Sequence, residues 1–533
     1  MPAPRTPLSL LDPVPFARVD AETLRKAIVF AFATGDVGDT FESAVGNMKL
    51  APSTWDPTDF AGDVFLSEVV RRCMRIEIAG TSYVPGGFLL RVLGSPPADL
   101  DVVPFRHRVL RELLASPGLR EDATALYARL VHLRDLLSRS GLGVHLEANR
   151  RRIDVLRTLV DIAAVAARFD GAESALSRIG TWGRVFTESA DHARIAELLA
   201  YEDAASELEV RVRLGFDGRI RSLRVVGRVE ATDNAFHRSA AGRIATKVSL
   251  ALRGESFGDE ELLSRMLDDV FTGIDDWLID AFPLLGDLEV YLATLAFRDV
   301  ATKAGLETCL PTFAAGEGRS LEGLFNPLLV GEGRSVVVCN LHTNRDDSMV
   351  LITGPNSGGK TRLLQSVALA QVFAQAGLFV PARAASLPPA EGLFVSLIEH
   401  ARADQTEGRL GTELLRIRRL FERLRPHSLV LLDELCSGTN PDEGEEIFRL
   451  VIRVLGELHP ATFVTTHFLA FAAKLAADTP SLEALQVELG PDGAATFRFV
   501  PGVATSSHAR ATASRLGVSE DELLALVRVR ASR

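Results

Sequence analysis

Residues 349–382 read MVLITGPNSGGKTRLLQSVALAQVFAQAGLFVPA. The apolar run Met349–Ile352 leads into a complete G-x-x-x-x-G-K-[ST] loop, Gly354-Pro355-Asn356-Ser357-Gly358-Gly359-Lys360-Thr361, and a helical stretch follows it. Strand, glycine-rich loop and helix in that order make a phosphate cradle. Glycines let backbone N–H groups curl around phosphate oxygens, and the start of the helix adds a favourable dipole. Lys360 offers a point charge to β- and γ-phosphates, and the Thr361 hydroxyl offers a ligand to Mg²⁺. ATP and Mg²⁺ are the expected cofactors.

Outward from that loop, Ser428–Leu432 is a second apolar strand, and it ends in Asp433-Glu434. Asp433 is placed to hold the metal, directly or through water, and Glu434 to polarise the attacking water. Phe463-Val464-Thr465-Thr466-His467 ends a third strand. A lone histidine is usually structural, but after a parallel-sheet strand His467 also reads as a γ-phosphate sensor. Short β-branched runs alternate with helical segments from about residue 330 onward, the mark of a parallel sheet wrapped by helices.

The upstream half has another texture. Residues 105–140 and 147–200 put apolar side chains three and four apart, as amphipathic helices do, and the pattern resumes at 259–304. Between them, residues 208–228 alternate aliphatic and arginine positions on both sides of Asp217-Gly218, a hairpin signal. Two readings of Arg211, Arg213, Arg219 and Arg221 stay open: a solvated outer face, or a ribbon that contacts phosphates. The expected fold is multidomain: a mainly α-helical region with a small β insertion, then an α/β phosphate-loop domain.

Several residues beyond the generic loop carry a resemblance. Asn356, Gly377, Val380, Pro381 and Ala382, the run SLVLLDELCSGTNPDEG at 428–444, Thr466-His467 and Asn340 resemble the ATPase domain of the MutS family, the ABC-class mismatch-repair ATPases. ATSSHARATASRLGVSEDELLALV at 504–527 is similar to that domain's helical tail. Pro-rich breaks at residues 2–15, 52–57 and 96–104 mark an N-terminal mixed segment (1–104), and the resemblance implies a lever- and clamp-like region (105–305) and the ATPase domain with its tail (306–533). It also implies a homodimer that sandwiches nucleotide between subunits and a nucleotide-gated clamp on double-stranded or branched DNA. Two alternatives are an ATP-dependent RNA- or ribosome-associated factor and a nucleotide-gated protein scaffold. Paralogues of the former kind generally carry a nuclease-like extension after the tail.

Three departures qualify the resemblance. Phe-x-Glu, the family's mismatch wedge, occurs only as Phe186-Thr187-Glu188 inside the helical region, and the residues before 105 are too few for a mismatch reader plus connector. A short member without classical mismatch reading is therefore expected. The trans-acting signature reads Thr406-Glu407-Gly408-Arg409-Leu410-Gly411-Thr412-Glu413 with no serine, so Thr406, Gly408 or Gly411 must substitute. Aliphatic Val336–Val338 stand where the family has an adenine-stacking aromatic, which predicts weaker or less base-selective nucleotide binding.

Composition bounds the rest. The chain has 533 residues, 47% hydrophobic and 24% charged, enough apolar material for several cores. A net charge of −11 excludes a uniformly basic nucleic-acid coat but not a local basic surface. Cys73, Cys309, Cys339 and Cys436 lack the clustering of a disulfide framework or a zinc site. No signal peptide or membrane span is expected, and the cytoplasm is the expected compartment.

Overall fold

The computed structural model describes residues 8–34, 40–138, 148–204, 207–214, 220–229, 259–331, 335–397, 409–436, 440–491, 494–505 and 520–531. Contacts divide the chain into two units, each mixing discontinuous segments. One comprises Met1–Leu10, Val14–Lys49 and Glu112–Leu288; the other Leu11–Pro13, Leu50–Arg111 and Glu289–Arg533.

The first unit is helical. In Pro117–Ser138, Leu126, Leu130, Leu133 and Leu137 are all buried, one stripe at spacings of four and three. Leu156, Leu159 and Ala163 make the matching stripe in Ala148–Ala166. Phe186 is fully buried, its ring 4.8 Å from Trp277 and 5.9 Å from Trp182. The phenylalanine of the isolated Phe-x-Glu is thus a core residue. Asp287 is buried too: it accepts from Leu10 N at 2.7 Å and pairs with Arg18 Nη1 at 2.5 Å.

The hairpin forms in this unit, with antiparallel strands Glu207–Leu214 and Ile220–Val229. Its register sets Arg211 opposite Arg224 and Arg213 opposite Ser222, and a shift before Leu214↔Ile220 leaves Arg221 out of the ladder. Arg219 lies outside the described residues. The shift therefore makes Arg224 the cross-strand neighbour of Arg211 and sets Ser222, rather than Arg221, opposite Arg213.

The second unit holds a six-stranded sheet: β1 (Met349–Thr353), β2 (Leu393–Ser396), β3 (Leu429–Leu432), β4 (Ala461–Thr465), β5 (Leu482–Leu489) and β6 (Ala495–Pro501). The spatial order is β2-β3-β4-β1-β5-β6, parallel except for the β5–β6 pair. Every residue of β3 and β4 is buried, as expected of parallel strands covered on both faces. A four-stranded sheet also belongs to this unit.

Helix α1 (Lys360–Gln375) is buried almost throughout, so its polar side chains must find partners inside. Gln371 donates to Pro388 O at 3.1 Å and Gln375 to Ala390 O at 3.2 Å. Gly377 ends the helix at φ +72°, where Leu378 N reaches back to Phe373 O at 2.9 Å, a left-handed C-cap. An added Cβ there would also stand 3.3 Å from Val103 Cα, so the glycine of the G-x-x-VPA turn serves both conformation and close packing.

Residues 50–111, whose proline breaks mark most of them as an N-terminal segment, belong by their contacts to this unit. Trp55 Nε1 donates to Ala390 O at 2.8 Å, and Cys73 Sγ to Pro327 O at 3.4 Å. Arg423 pairs with Asp59 at 2.7 Å and with Asp56.

His107, in the helix Val102–Ala115, is buried, and burial pushes its imidazole down from 6.5 to about 4, with Arg111 acting the same way. The unfolded chain binds a proton below pH 6.5 that the folded chain refuses until about pH 4. This contribution to stability is therefore complete above pH 6.5 and lost as pH falls from 6.5 to about 4. His107→Leu should flatten denaturant-measured stability across that window, by up to roughly 3 kcal/mol relative to wild type. Parallel pH curves for the two proteins would exclude the assignment.

Candidate nucleotide site

The loop between β1 and α1 is shaped by its backbone. Gly354 adopts φ +137°, and a Cβ there would stand 2.6 Å from Val487 Cγ2, so β5 leaves room for glycine only. Ser357, Glu434, Cys436 and Phe497 all sit at positive φ between 47° and 64° around the same site. Non-glycine residues in that region cost energy and gather where a site is over-determined.

Parallel pairing brings the chemistry together. Because β3 lies beside β4, and β4 beside β1, the acids after Leu432 reach the loop after Thr353. Thr361 Oγ1 donates to Asp433 Oδ2 at 2.5 Å. Lys360 Nζ donates to the carbonyls of Gly354 and Pro355 at 3.1 and 3.2 Å and lies 3.9 Å from Glu434 Oε1. Burial lowers the Lys360 pKa, while Glu434 and then Asp433 act against the shift.

Thr465, the last residue of β4, was not singled out by the sequence. Its hydroxyl donates to Asp433 Oδ1 at 2.6 Å and accepts from Glu434 N at 2.7 Å. One side chain thus fixes both Asp433 and the backbone turn that carries Glu434. The sequence signal was only a threonine at a strand end. Thr465→Val keeps the shape and removes both bonds. It should lower ATP turnover with little change in nucleotide affinity, and Thr465→Ser should restore the rate. Equal turnover in the valine variant would make the hydroxyl dispensable.

A cleft of about 440 Å³ runs beside the loop. Asn356, Ser357, Gly358, Gly359, Lys360, Thr361 and Glu434 line it, with Val336 and Val337 and, from β6, Phe497 and Phe499. The aliphatic wall expected at Val336–Val338 is therefore faced by aromatic surface from far along the chain. Asn326 is a further residue the sequence reading missed; its Nδ2 donates to Arg362 O at 3.2 Å, bracing the first turn of α1.

The remaining expected residues are placed as follows. Gly354 and Pro355 are buried at the exit of β1. His467 follows β4, half-buried with its ring 4.2 Å from that of Phe468, and does not line the cleft. Asn340 Oδ1 accepts from Gly323 N at 2.8 Å. Thr406 and Gly408 lie outside the described residues. Gly411 and Glu413 lie in helix α2 (Arg409–Arg423), where Glu413 Oε1 accepts from Cys436 N at 2.5 Å, two residues after Glu434.

Comparison with known proteins agrees with this geometry. Residues 350–519 match the family model described as MutS domain V. The chain is 34% identical over 241 residues to Endonuclease MutS2 of Thermomicrobium roseum, covering 44% of this chain and 30% of the relative. It is 29% identical over 432 residues to Endonuclease MutS2 of Thermus thermophilus, covering 77% and 54% respectively. For Endonuclease MutS2 of Fusobacterium nucleatum the figures are 30% over 266 residues, covering 49% and 32%. These matches thus span between about a third and about half of the relatives' own length. The family model lies over the phosphate loop, Asp433-Glu434 and Thr466-His467 together, three of the segments on which the resemblance rested. The chain therefore contains a region similar to MutS domain V, over residues 350–519.

Proposed function

We propose that the chain is a Mg²⁺-dependent ATPase whose nucleotide state governs its hold on DNA. The observation that carries this reading is the convergence of Thr361 and Asp433, 2.5 Å apart, beside a glycine loop with Lys360 at its end. Both present hard oxygen donors of the kind Mg²⁺ takes, so the residues fit that ion. Mg²⁺, when bound by them, neutralises phosphate charge. The loop amides of Gly354–Gly359 hold phosphate oxygens, and Lys360 exchanges its two carbonyl partners for the β- and γ-phosphates. Glu434 accepts the proton of the attacking water, and His467, just beyond the end of β4, is the candidate sensor of the γ-phosphate. Phe497 offers a ring face for adenine, which argues for firmer base contact than Val336–Val338 alone would give.

Dimerisation belongs to the proposal, because Lys360 and Glu434 supply only one half of an ABC-type site. The signature stretch around Gly408, Gly411 and Glu413 of a second copy would supply the other. The lever- and clamp-like role of the helical unit is likewise proposed, with DNA held by phosphate contacts and shape. Among the described residues no helix is long and apolar enough to cross a membrane.

The hairpin is the candidate for phosphate contact. Between 209 and 228 it carries six arginines against Glu209 and Asp217, an excess of four in a chain of net charge −11. Binding to duplex DNA, branched DNA and structured RNA, each measured across salt concentrations, tests the reading. DNA should bind more tightly than RNA. Arg211→Gln, Arg213→Gln, Arg219→Gln and Arg221→Gln together should lower the salt slope by roughly 0.7–0.9 for each phosphate no longer neutralised, with little dependence on sequence. Arg224→Gln is the informative addition, given its pairing with Arg211. An unchanged slope would return the arginines to a solvated strand face, and a preference for RNA would favour the RNA-associated alternative.

A further inference from the structure

A second cavity, of about 320 Å³, opens in the sheet-containing unit at the end of the parallel strands remote from the phosphate loop. It is lined by Ser428 and Leu429 where β3 begins, by Ala461 where β4 begins, and by the Pro388–Glu391 turn before β2. The nucleotide residues Thr361, Asp433 and Glu434 stand at the opposite strand ends. Arg319 in the cavity wall is bonded to Gln371, eleven residues along α1 from Lys360 and so about 16 Å away.

Two side chains in this wall are buried without a full set of partners. Arg319 is 2% exposed and lies over the Phe463 ring at 5.7 Å, its Nη2 donating to Gln371 Oε1 at 2.8 Å. Its Nε has no hydrogen-bond partner. Ser428 is 0% exposed, and its Oγ has none either. A buried guanidinium and a buried hydroxyl left short of acceptors are costly, and an anionic group set between them would satisfy both. Burial lowers the Arg319 pKa to about 10, which still leaves it charged at neutral pH.

The rim has the opposite sign. Glu391 is exposed and Asp346 half-buried, and both border the opening, while Pro388 and Leu429 make the walls between apolar. One buried cation inside two carboxylates disfavours a polyanion such as a phosphate ester and suits a molecule bearing one charge of each sign on a short carbon frame. We propose that this cavity binds a small zwitterion of the amino-acid class, with its carboxylate against Arg319 and Ser428 and its ammonium toward Asp346 and Glu391.

The test is thermal unfolding of the full chain without nucleotide, titrated with L-alanine, acetate, methylamine and inorganic phosphate. L-Alanine should raise the melting temperature saturably. Acetate and methylamine should bind at least about tenfold more weakly, since each satisfies one end of the cavity. Phosphate should give no saturable shift in Lys360→Ala, where the nucleotide loop no longer holds it. Ser428→Ala removes no hydrogen bond seen in the structure, so the variant should fold, yet bind L-alanine about tenfold or more weakly. Glu391→Gln, at the exposed rim, should weaken L-alanine while leaving acetate unchanged, and Lys360→Ala should leave the L-alanine shift intact. No saturable response to L-alanine would overturn the proposal, as would undiminished binding in both Ser428→Ala and Glu391→Gln. So would a saturable phosphate shift in Lys360→Ala, or loss of the L-alanine shift in that variant.

Discussion

Glu434→Gln should leave ATP bound and slow its hydrolysis by roughly 10²–10⁴-fold, the usual size of a lost general base. The substitution keeps the side-chain shape and the backbone bond from Glu434 N to Thr465 Oγ1, so the turn that places residue 434 survives. What is lost is the carboxylate proposed to accept the proton of the attacking water. With hydrolysis slowed, the ATP-bound dimer should accumulate, visible as an earlier size-exclusion peak in the presence of ATP and Mg²⁺. Lys360→Ala should fail earlier in the cycle, without stable nucleotide binding, because Lys360 supplies the charge nearest the loop. Single-turnover hydrolysis alongside nucleotide binding separates the two. Equal and mild effects from both substitutions would remove the roles given to these residues.

The second large effect is on stability. Asp287→Ala should destabilise the helical unit by about 3–5 kcal/mol, because it removes a buried carboxylate that pairs with the buried Arg18 guanidinium and accepts from Leu10 N. Both side chains of the pair are essentially buried, at 1% and 0% exposure, so solvent gives little screening. Asp287→Asn retains a carbonyl oxygen and should cost less. A chain with two units need not unfold in one step, so the probe must be local. In a Trp55→Phe background the remaining tryptophans, Trp182 and Trp277, belong to the helical unit and report its unfolding alone. A shift of less than about 1 kcal/mol would mean that the pair contributes no more than a surface ion pair.

The parts of this molecule that were legible in advance are those written contiguously. Met349–Thr361 spells strand, loop and helix start within thirteen residues, and Ser428–Glu434 spells strand and acids in seven. Local pattern fixes local structure there, and parallel pairing then brings the two segments together. Thr465 was not legible because its role arises from register: only the alignment of β4 with β3, Val464 opposite Leu432, puts its hydroxyl between Asp433 and Glu434 N. Phe497 and Phe499 reach the cleft through the antiparallel turn of β6 onto β5, more than a hundred residues beyond the loop they face. Residues 50–111 read as a separate stretch because their proline breaks are local, whereas their attachments, such as Trp55 to Ala390 and Arg423 to Asp56 and Asp59, span hundreds of residues. The arginine hairpin was visible as alternation, but its bulge was not, and the bulge decides that Arg224 faces Arg211 across the ladder.

Nucleotide-dependent binding to DNA is the centre of the proposed function, and linkage makes it measurable. If ATP favours one state of the protein and DNA distinguishes the two states, each ligand must alter the affinity of the other by the same factor. The most direct measurement is a pair of DNA-binding isotherms for the Glu434→Gln chain at one fixed salt concentration, one with ATP and Mg²⁺ and one with ADP and Mg²⁺. The expected result is a difference in affinity of about fivefold or more, the usual range for coupled sites, which disappears in the Lys360→Ala protein. Superimposable isotherms with the two nucleotides, under conditions where both are shown to be bound, would contradict the account.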